Sequence, residues 1–318
     1  MFTKFESSII VDNLKKTYKG NIQALDGLSF KVDEGSIFGL VGPNGAGKST
    51  AIKIMTTLTK ADSGKVIIGK YDVTTQPNRV RKVIGCVAQN SGVFRDGTAR
   101  ENLMLQGELY SLRNSKLKAR VAQLLDAFEL NDAADRIAST YSGGMLRKLD
   151  IALGLIHSPR ILFLDEPTTG LDPEARSSLW NIILSMSKKE NVTVLLTTHY
   201  LEEVDRLADK LAIVNRGRVV VEGAPSILKE TLNEDRIHIL LDSTMNFEAD
   251  DIKKALSSIR NVLDVETEES AIKLRVTNAS STLVDVLQVL STHQIHVLNA
   301  SVVPPTIDDV YLKYTNKY

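Results

Sequence analysis

The sequence predicts an α/β chain with a mostly parallel sheet, followed by a smaller α+β domain. Three observations support this prediction. Short apolar runs alternate with segments of helical spacing over the first part of the chain. The pattern changes near Gly223-Ala-Pro225, after which strands and helices follow a different order. The length of 318 residues exceeds what one ordinary core contains, so two domains are expected, 1–225 and 226–318.

The first domain is expected to begin with half-buried strands, because apolar and polar residues alternate over 9–12 and 28–32. A buried strand over 36–41 leads through a glycine-rich loop into a helix over 49–55. Helical spacing recurs over 117–128 and 179–186. The apolar runs 161–164 and 192–196 are typical of central strands in a parallel sheet.

The second domain is predicted to be a small ferredoxin-like domain of βαββαβ order. The expected strands cover 236–242, 262–268, 271–276 and 295–303, and the helices cover 248–258 and 280–291. A last helix is expected after Pro304-Pro305, with Ile307, Val310, Tyr311 and Tyr314 on one face.

Composition excludes several classes of protein. Apolar residues make up 43% and charged residues 25%, which argues against a disordered or fibrous chain. Basic and acidic residues number 39 each, so binding of nucleic acid through a general basic field is disfavoured. The single cysteine, Cys86, can form no intrachain disulfide and is interpreted as a core residue. We expect a cytoplasmic chain, because the N-terminal segment lacks a signal-peptide core and no apolar run approaches the roughly 20 residues of a membrane span.

Residues 42–49, Gly-Pro-Asn-Gly-Ala-Gly-Lys-Ser, match the phosphate-loop pattern G-x-x-x-x-G-K-[ST] between a predicted strand and a predicted helix. Glycines let the backbone wrap a phosphate, so that N–H groups and the positive helix end face the anion. Lys48 would reach the β- and γ-phosphates, and the Ser49 hydroxyl would complete a Mg²⁺ shell. The predicted triphosphate-binding residues are Gly42, Pro43, Asn44, Gly45, Ala46, Gly47, Lys48, Ser49 and Thr50.

An acidic pair, Asp165 and Glu166, ends the apolar run that begins at Ile161. The carboxyl ends of strands are where α/β sheets bind ligands. Asp165 is therefore predicted to hold Mg²⁺, directly or through water, and Glu166 to polarise an attacking water as general base. Such a pair alone is often only a solvated strand end, but the phosphate loop favours the catalytic interpretation.

Further motifs follow in a characteristic order. Gln89 comes after the strand predicted over 83–88, Tyr-Ser-Gly-Gly-Met spans 141–145, Gly-Leu-Asp spans 170–172, and His199 ends the strand predicted over 192–198. Together with the phosphate loop and the acidic pair, this order resembles the nucleotide-binding domain of ATP-binding cassette (ABC) ATPases. The resemblance covers about residues 7–225. It implies a P-loop NTPase cassette with a mostly parallel sheet, an antiparallel β subdomain and a helical subdomain.

The resemblance also implies roles for individual residues. Tyr18 would stack on adenine, Gln89 would contact Mg²⁺ and the water while sensing the transport partner, and His199 would bind the γ-phosphate and support Glu166. The predicted catalytic set is Lys48, Gln89, Glu166 and His199. The predicted metal set is Ser49, Gln89 and Asp165. Ser142 and Gly144 would bind the γ-phosphate from the opposite subunit, and the nucleotide-binding set extends to Gly143, Met145 and Asp172. The commonest signature of the family, L-S-G-G-Q, differs at Tyr141 and Met145 but shares the serine and both glycines.

The signature, followed by basic residues, resembles that of drug-resistance and ABC-2 type exporters, and residues 301–312 resemble the closing motif of daunorubicin-resistance-like ATPases. This closing motif is expected to pack or dimerise rather than to catalyse. The resemblance implies an ATP- and Mg²⁺-dependent subunit of an exporter of drugs, lipids or other amphipathic substrates. It would form a head-to-tail dimer, with itself or a related subunit, attached to the cytoplasmic face through a separate transmembrane permease. An import ATPase, or a soluble ABC ATPase of translation or DNA repair, remains an alternative.

Overall fold

The computed structural model describes residues 7–232, 235–242, 249–268 and 270–315. The chain divides between Pro225 and Ser226 into two compact units. Two sequence predictions lie partly outside the described residues: the N-terminal segment over 1–6 and the first residue of the helix expected from 248.

The first unit contains ten strands and seven α-helices among its described residues. The strands are β1 (Ser7–Tyr18), β2 (Ile22–Asp33), β3 (Ile37–Val41), β4 (Ser63–Ile68), β5 (Tyr71–Asp72), β6 (Ile84–Val87), β7 (Ile161–Asp165), β8 (Thr193–Thr198), β9 (Lys210–Asn215) and β10 (Arg218–Gly223). The helices are α1 (Lys48–Met55), α2 (Pro77–Val83), α3 (Ala99–Leu109), α4 (Asn114–Ala127), α5 (Gly143–Leu155), α6 (Pro173–Glu190) and α7 (Leu201–Leu207).

A six-stranded sheet of order β10-β9-β3-β8-β7-β6 forms the centre of the first unit. Strand β10 is antiparallel to β9, and every other neighbouring pair is parallel. Strands β3 and β8 are buried along their whole length, as expected for parallel strands covered on both faces. The predicted mostly parallel α/β sheet is therefore confirmed. The carboxyl ends of β3, β7 and β8 lie side by side, which brings the phosphate loop, the acidic pair and His199 to one edge.

A second sheet, of order β2-β1-β4-β5, is antiparallel and supplies the predicted β subdomain. Its first strand extends from Ser7 to Tyr18, well beyond the 9–12 expected from alternation. The register between β1 and β2 shifts between Val11 and Leu14, and Asn13 has a left-handed φ of 46°. Such a bulge changes which residues face the core, so the period-two pattern is lost although the strand continues.

Helices α3, α4 and α5 form the helical part of the first unit. Thr98 begins α3 with a capping box, in which its side chain accepts from the Glu101 N–H and Glu101 accepts from the Thr98 N–H. The apolar positions predicted on α4, Leu117, Val121 and Leu124 among them, are buried. No helix in the described ranges is both long enough and apolar enough to cross a bilayer.

Cys86 is the one residue whose predicted environment is wrong. It lies on β6, the edge strand of the central sheet, and its side chain is exposed, whereas Ile84, Gly85 and Val87 are buried. An edge strand has no neighbour on one side, and Cys86 borders an open groove there. The apolar sequence around Cys86 therefore did not reveal its exposure.

The second unit has the predicted βαββαβ order. The short helix α8 (Pro225–Glu230) begins at the last residue of the first unit. The elements that follow are β11 (Asp235–Leu241), α9 (Ala249–Ser257), β12 (Val262–Glu268), β13 (Ala271–Val276), α10 (Ala279–Thr292), β14 (Val297–Val303) and α11 (Ile307–Thr315). The antiparallel sheet has the order β12-β13-β11-β14. Apolar residues of its strands and of α9 and α10 form a separate core. Ile307 and Val310 of α11 are buried as expected, and Asp309 pairs with Arg236 of β11.

Candidate functional site

The loop over 42–47 leaves β3 and ends at the start of α1. Gly47 has φ 106°, and a Cβ there would lie 2.4 Å from the carbonyl oxygen of Ala24, so only glycine fits. Lys48 follows immediately and is 5% exposed. Its ammonium donates to the carbonyl oxygens of Gly42 (2.6 Å) and Pro43 (3.2 Å). The loop backbone thus holds a cation beside the helix N-terminus, where the N–H groups attract an anion.

Burial and the neighbouring carboxylates act on the pKa of Lys48 in opposite directions. Burial lowers the pKa of Lys48, while the nearby carboxylates of Glu166 and Asp165 raise it. Asp165 accepts a hydrogen bond from the Ser49 hydroxyl (3.3 Å, Oγ to Oδ1) and another from the Thr197 hydroxyl (2.5 Å, Oγ1 to Oδ1). The strand end of β7 therefore meets the first turn of α1, which brings Ser49 and Asp165 of the predicted metal set together.

Three side chains surround the carboxylate of Glu166. Gln89 Nε2 donates to Oε2 (3.3 Å), the Thr169 hydroxyl donates to the same oxygen (3.2 Å), and His199 Nδ1 lies 3.4 Å from Oε1. The Glu166 side chain is 12% exposed. Its backbone has φ 49°, a conformation that a non-glycine residue rarely adopts and that is often found at functional sites. The structure therefore brings Gln89, Thr169 and His199 together at the carboxylate of Glu166.

These residues line one open cleft of about 670 Å³. The loop residues from Asn44 to Thr50 line it together with Gln89, Glu166 and His199. Tyr18, at the end of β1, also lines the cleft and is 39% exposed, so its ring is accessible to a ligand. The size and residue content of the cleft suit a nucleotide held by its phosphates at the loop.

The signature positions do not line this cleft. Ser142 and Gly143 are exposed, and Ser142 begins α5, with its hydroxyl accepting from the Met145 N–H (3.3 Å). Asp172 begins α6 in the same way by accepting from the Ala175 N–H (2.8 Å). A Cβ on Gly144 would lie 2.8 Å from the Cβ of Ala175, so the two helix starts pack closely. Contact of these residues with a nucleotide of another subunit remains a prediction.

The sequence interpretation missed three residues of the site. Thr169 and Thr197 bind the two carboxylates directly, and Arg147 donates to backbone carbonyls beside them. Thr197 lies two positions before His199, so its nearness to the strand end was a usable signal. The role of Arg147 could not be read from the sequence, because it depends on how α5 packs against β7.

The oxygen atoms at the strand end also fit a Mg²⁺ ion. The hydroxyl of Ser49, the carboxylate of Asp165 and the amide oxygen of Gln89 belong to the hard ligands that Mg²⁺ prefers. Mg²⁺ in nucleotide sites is usually held by one or two protein oxygens together with phosphates and waters. Ser49 Oγ and Asp165 Oδ1 lie 3.3 Å apart, so two oxygen atoms that could bind the same Mg²⁺ ion are already close together.

Comparison with known proteins matches both units to described families and the first unit to solved structures. Residues 25–169 match the family model described as ABC transporter, and residues 223–315 match the C-terminal domain of DrrA1-3-like ATP-binding proteins. The ADP-bound cassette of an ABC transporter superimposes with a TM-score of 0.62 and 28% identity, covering 69% of this chain and 91% of that one. A dimeric cassette in a post-hydrolysis state, bound to ADP and phosphate, gives 0.62 and 26%, covering 68% and 98%.

Curated relatives extend the similarity over the whole chain. The daunorubicin resistance ATP-binding protein DrrA2 of Streptomyces coeruleorubidus is 38% identical over 312 residues, 97% of this chain and 95% of that protein. The linearmycin resistance ATP-binding protein LnrL of Bacillus subtilis is 33% identical over 96% and 97%. The Nod factor export ATP-binding protein I of Sinorhizobium fredii is 40% identical over 74% and 69%. The chain therefore belongs to the ABC transporter ATP-binding family, in the group of drug-resistance ATP-binding proteins with a DrrA-like C-terminal domain.

Proposed function

We propose that this chain hydrolyses ATP and thereby drives export through a separate membrane subunit. The observation that supports hydrolysis best is the environment of Glu166, whose carboxylate lies at the phosphate-loop cleft within reach of Gln89, Thr169 and His199. A carboxylate in this position can accept a proton from a water that attacks the terminal phosphate. Gln89 would orient that water, and His199 would bind the phosphate and support Glu166.

The remaining residues bind and stabilise charge. Lys48 and the N–H groups at the start of α1 would hold the β- and γ-phosphates, and Tyr18 would stack on the adenine. Ser49, Asp165 and Gln89 would hold Mg²⁺, which supplies charge neutralisation on the phosphates when bound. Because the donors are already positioned, stabilising the developing charge requires little rearrangement.

Export is proposed from the relatives, several of which are named for drug resistance or export. The membrane subunit would dock in a groove of about 380 Å³ lined by Leu58, Cys86 and Tyr110 together with Ala88 and Asn90, which flank Gln89. Leu58 is 71% exposed, and exposed apolar side chains often mark interaction sites. Contact there could reach Gln89 directly and would attach the chain to the cytoplasmic face of the membrane. Co-purification with a six-span subunit from detergent tests this part of the proposal.

The active unit is proposed to be a head-to-tail dimer of this chain, or of this chain with a related subunit, around two ATP molecules. Each chain has one phosphate-loop cleft and one exposed signature outside it, so a two-fold axis would build two equal sites. The dimeric cassette of similar fold supports this arrangement. The test is sedimentation of Glu166→Gln, which should bind ATP without reopening the dimer by hydrolysis. We expect dimers with ATP and monomers without it.

The control is the double variant Glu166→Gln/Ser142→Arg. A bulky cation at the signature should prevent ATP-dependent dimers, while ATP binding by the monomer persists. Strictly monomeric Glu166→Gln in saturating ATP, or dimers untouched by the arginine, would refute the shared site.

A further inference from the structure

Arg147 lies on α5, one turn after the signature, and is 8% exposed. Its guanidinium donates to four backbone carbonyl oxygens in two other segments of the chain. Nη1 reaches Ala88 (2.8 Å), Nη2 reaches Asp165 (3.0 Å) and Glu166 (3.2 Å), and Nε reaches Pro167 (2.8 Å). Ala88 directly precedes Gln89, so one side chain binds the backbone next to both groups that would handle the attacking water.

The carbonyls on either side of Glu166 matter because this residue has φ 49°. A left-handed non-glycine residue is strained and persists only where its surroundings hold it. The Glu166 N–H is bound by the carbonyl oxygen of Thr197 (3.1 Å). Arg147 binds the carbonyls of Asp165, Glu166 and Pro167, so it supplies the hydrogen bonds on the other side of this turn.

Asp150 lies one turn after Arg147 on α5 and is 6% exposed. Its Oδ1 accepts from the Gly92 N–H (2.9 Å), and its Oδ2 lies 4.0 Å from Arg147 Nη1. Arg147 therefore holds position 88 and Asp150 holds position 92. The segment containing Gln89 is anchored at both ends by two side chains of one helix.

Resting on the proposed hydrolysis, we propose that Arg147 and Asp150 are positioning residues that join the signature helix to Gln89 and Glu166. Arg147 does not itself line the cleft and acts through the backbone of the residues it binds. A movement of α5 would displace the backbone of both water-handling residues together. The pair thereby links the signature, which the dimer would bring to a partner's nucleotide, to the hydrolysis machinery of its own chain.

The arrangement requires arginine rather than a generic cation. The guanidinium presents several N–H donors in a fixed planar fork, whereas lysine has a single ammonium on a flexible stem and cannot reach separate carbonyls at once. Burial lowers the pKa of Arg147 and raises that of Asp150, and each is opposed by the charge of the other. The other charged groups near Arg147 are Asp165 and Glu203, and Arg95 is near Asp150. Each member of the pair therefore has further opposite charges that offset part of the cost of its burial.

The test is the steady-state ATPase activity of purified full-length Arg147→Lys, with ATP binding measured separately by titration of a fluorescent ATP analogue. Misplacement of a reacting group by about 1 Å costs up to about 10²-fold in rate. We expect kcat to fall about 10- to 100-fold, while KM and analogue affinity change less than about threefold. Arg120→Lys is the matched control, because Arg120 also donates to a backbone carbonyl, that of Leu155 (2.7 Å), but its hydrogen bonds go to Gln123 and Leu155 rather than to the backbone beside Gln89 or Glu166. Its kcat should stay within about twofold of wild type.

Asp150 provides a second, independent variant. Asn at this position retains an oxygen that can accept from the Gly92 N–H, so Asp150→Asn should keep most of the kcat that Asp150→Ala loses. Wild-type kcat in Arg147→Lys or in Asp150→Ala would overturn the proposal, and so would a loss confined to KM. If Arg147→Lys does not fold, the comparison of Asp150→Asn with Asp150→Ala decides the question alone. An inactive wild-type chain that binds the analogue would refute the proposed hydrolysis instead, which separates the two failures.

Discussion

In the first unit of this chain, charged side chains are buried around one edge of the central sheet, whereas the second unit keeps its ion pairs near the surface. Lys48, Arg147, Asp150 and Glu203 are all below 9% exposure. In the described part of the second unit, the buried polar residue is Thr282, and the ion pairs include Arg236–Asp309, Lys254–Asp251, Lys273–Glu268 and Arg275–Asp264. The two units thus differ in where they place charged side chains.

The physical reason is the cost of removing charge from water. A buried charge needs a partner or several hydrogen bonds, and replacing such groups by apolar residues is often neutral or stabilising. Exposed ion pairs contribute about 0–1 kcal/mol each, so the second unit relies on its apolar core. The first unit retains buried charges where they hold the phosphate loop, Glu166 and the segment around Gln89. The comparison shows that buried charged side chains, whose removal from water costs free energy, are concentrated around the site where hydrolysis is proposed.

The largest effect is expected at the site itself. Glu166→Gln should retain ATP binding while hydrolysis falls by about 10²-fold or more, because the amide keeps the shape but accepts no proton. Phosphate release under saturating ATP and titration of a fluorescent ATP analogue measure the two properties. A hydrolysis rate near that of wild type would show that Glu166 is not the general base. The proposed reason for burying charged side chains around Glu166 would then be lost as well.

A core substitution in the second unit tests whether the two units are energetically separate. Ile239 is fully buried there, so Ile239→Ala should lower the stability of that unit by about 2–5 kcal/mol while ATP affinity stays within about twofold. Calorimetry and nucleotide titration give the two results. Leu195→Ala, in the central strand β8, is the matched substitution and should weaken both stability and ATP binding. A large loss of ATP affinity in Ile239→Ala would show that the second unit completes the site.

The smallest effect concerns the stability cost of a buried carboxylate. Burial raises the pKa of Glu203, which accepts a hydrogen bond from Trp180 Nε1 (3.2 Å). Its folded-state pKa exceeds the unfolded value, so stability falls as the pH rises between these two values and stays lower above them. Glu203→Gln, which can still accept from Trp180, should therefore melt about 2–4 °C higher than wild type at pH 8. The difference should vanish toward pH 4.

Glu268→Gln in the second unit is the comparison for this measurement. Glu268 is exposed and paired with Lys273, so its replacement should change the melting temperature of that unit by less than about 2 °C. A lower melting temperature of Glu203→Gln at pH 8 would contradict the proposed cost of the buried charge.

Much of the fold could be predicted because its patterns are local. Fully apolar runs predicted the parallel strands, helical spacing predicted α4 and α6, and the phosphate loop was identified from eight consecutive residues. The strand β1 was predicted too short, because the bulge near Asn13 interrupts the alternation without ending the strand. Cys86 was assigned to the core, because its apolar neighbours did not reveal that β6 lies at an edge.

The sequence by itself determined the α/β class, the order of the elements and the residue types of the candidate site, since each depends on spacing within a short segment. Only the tertiary structure decided that Gln89, Thr169 and His199 meet at one carboxylate and that Arg147 binds the backbone around it. These contacts join residues up to 77 positions apart. They depend on the order β3-β8-β7-β6 and on the packing of α5, and the free energy that selects such an arrangement comes from the whole core rather than from any one segment.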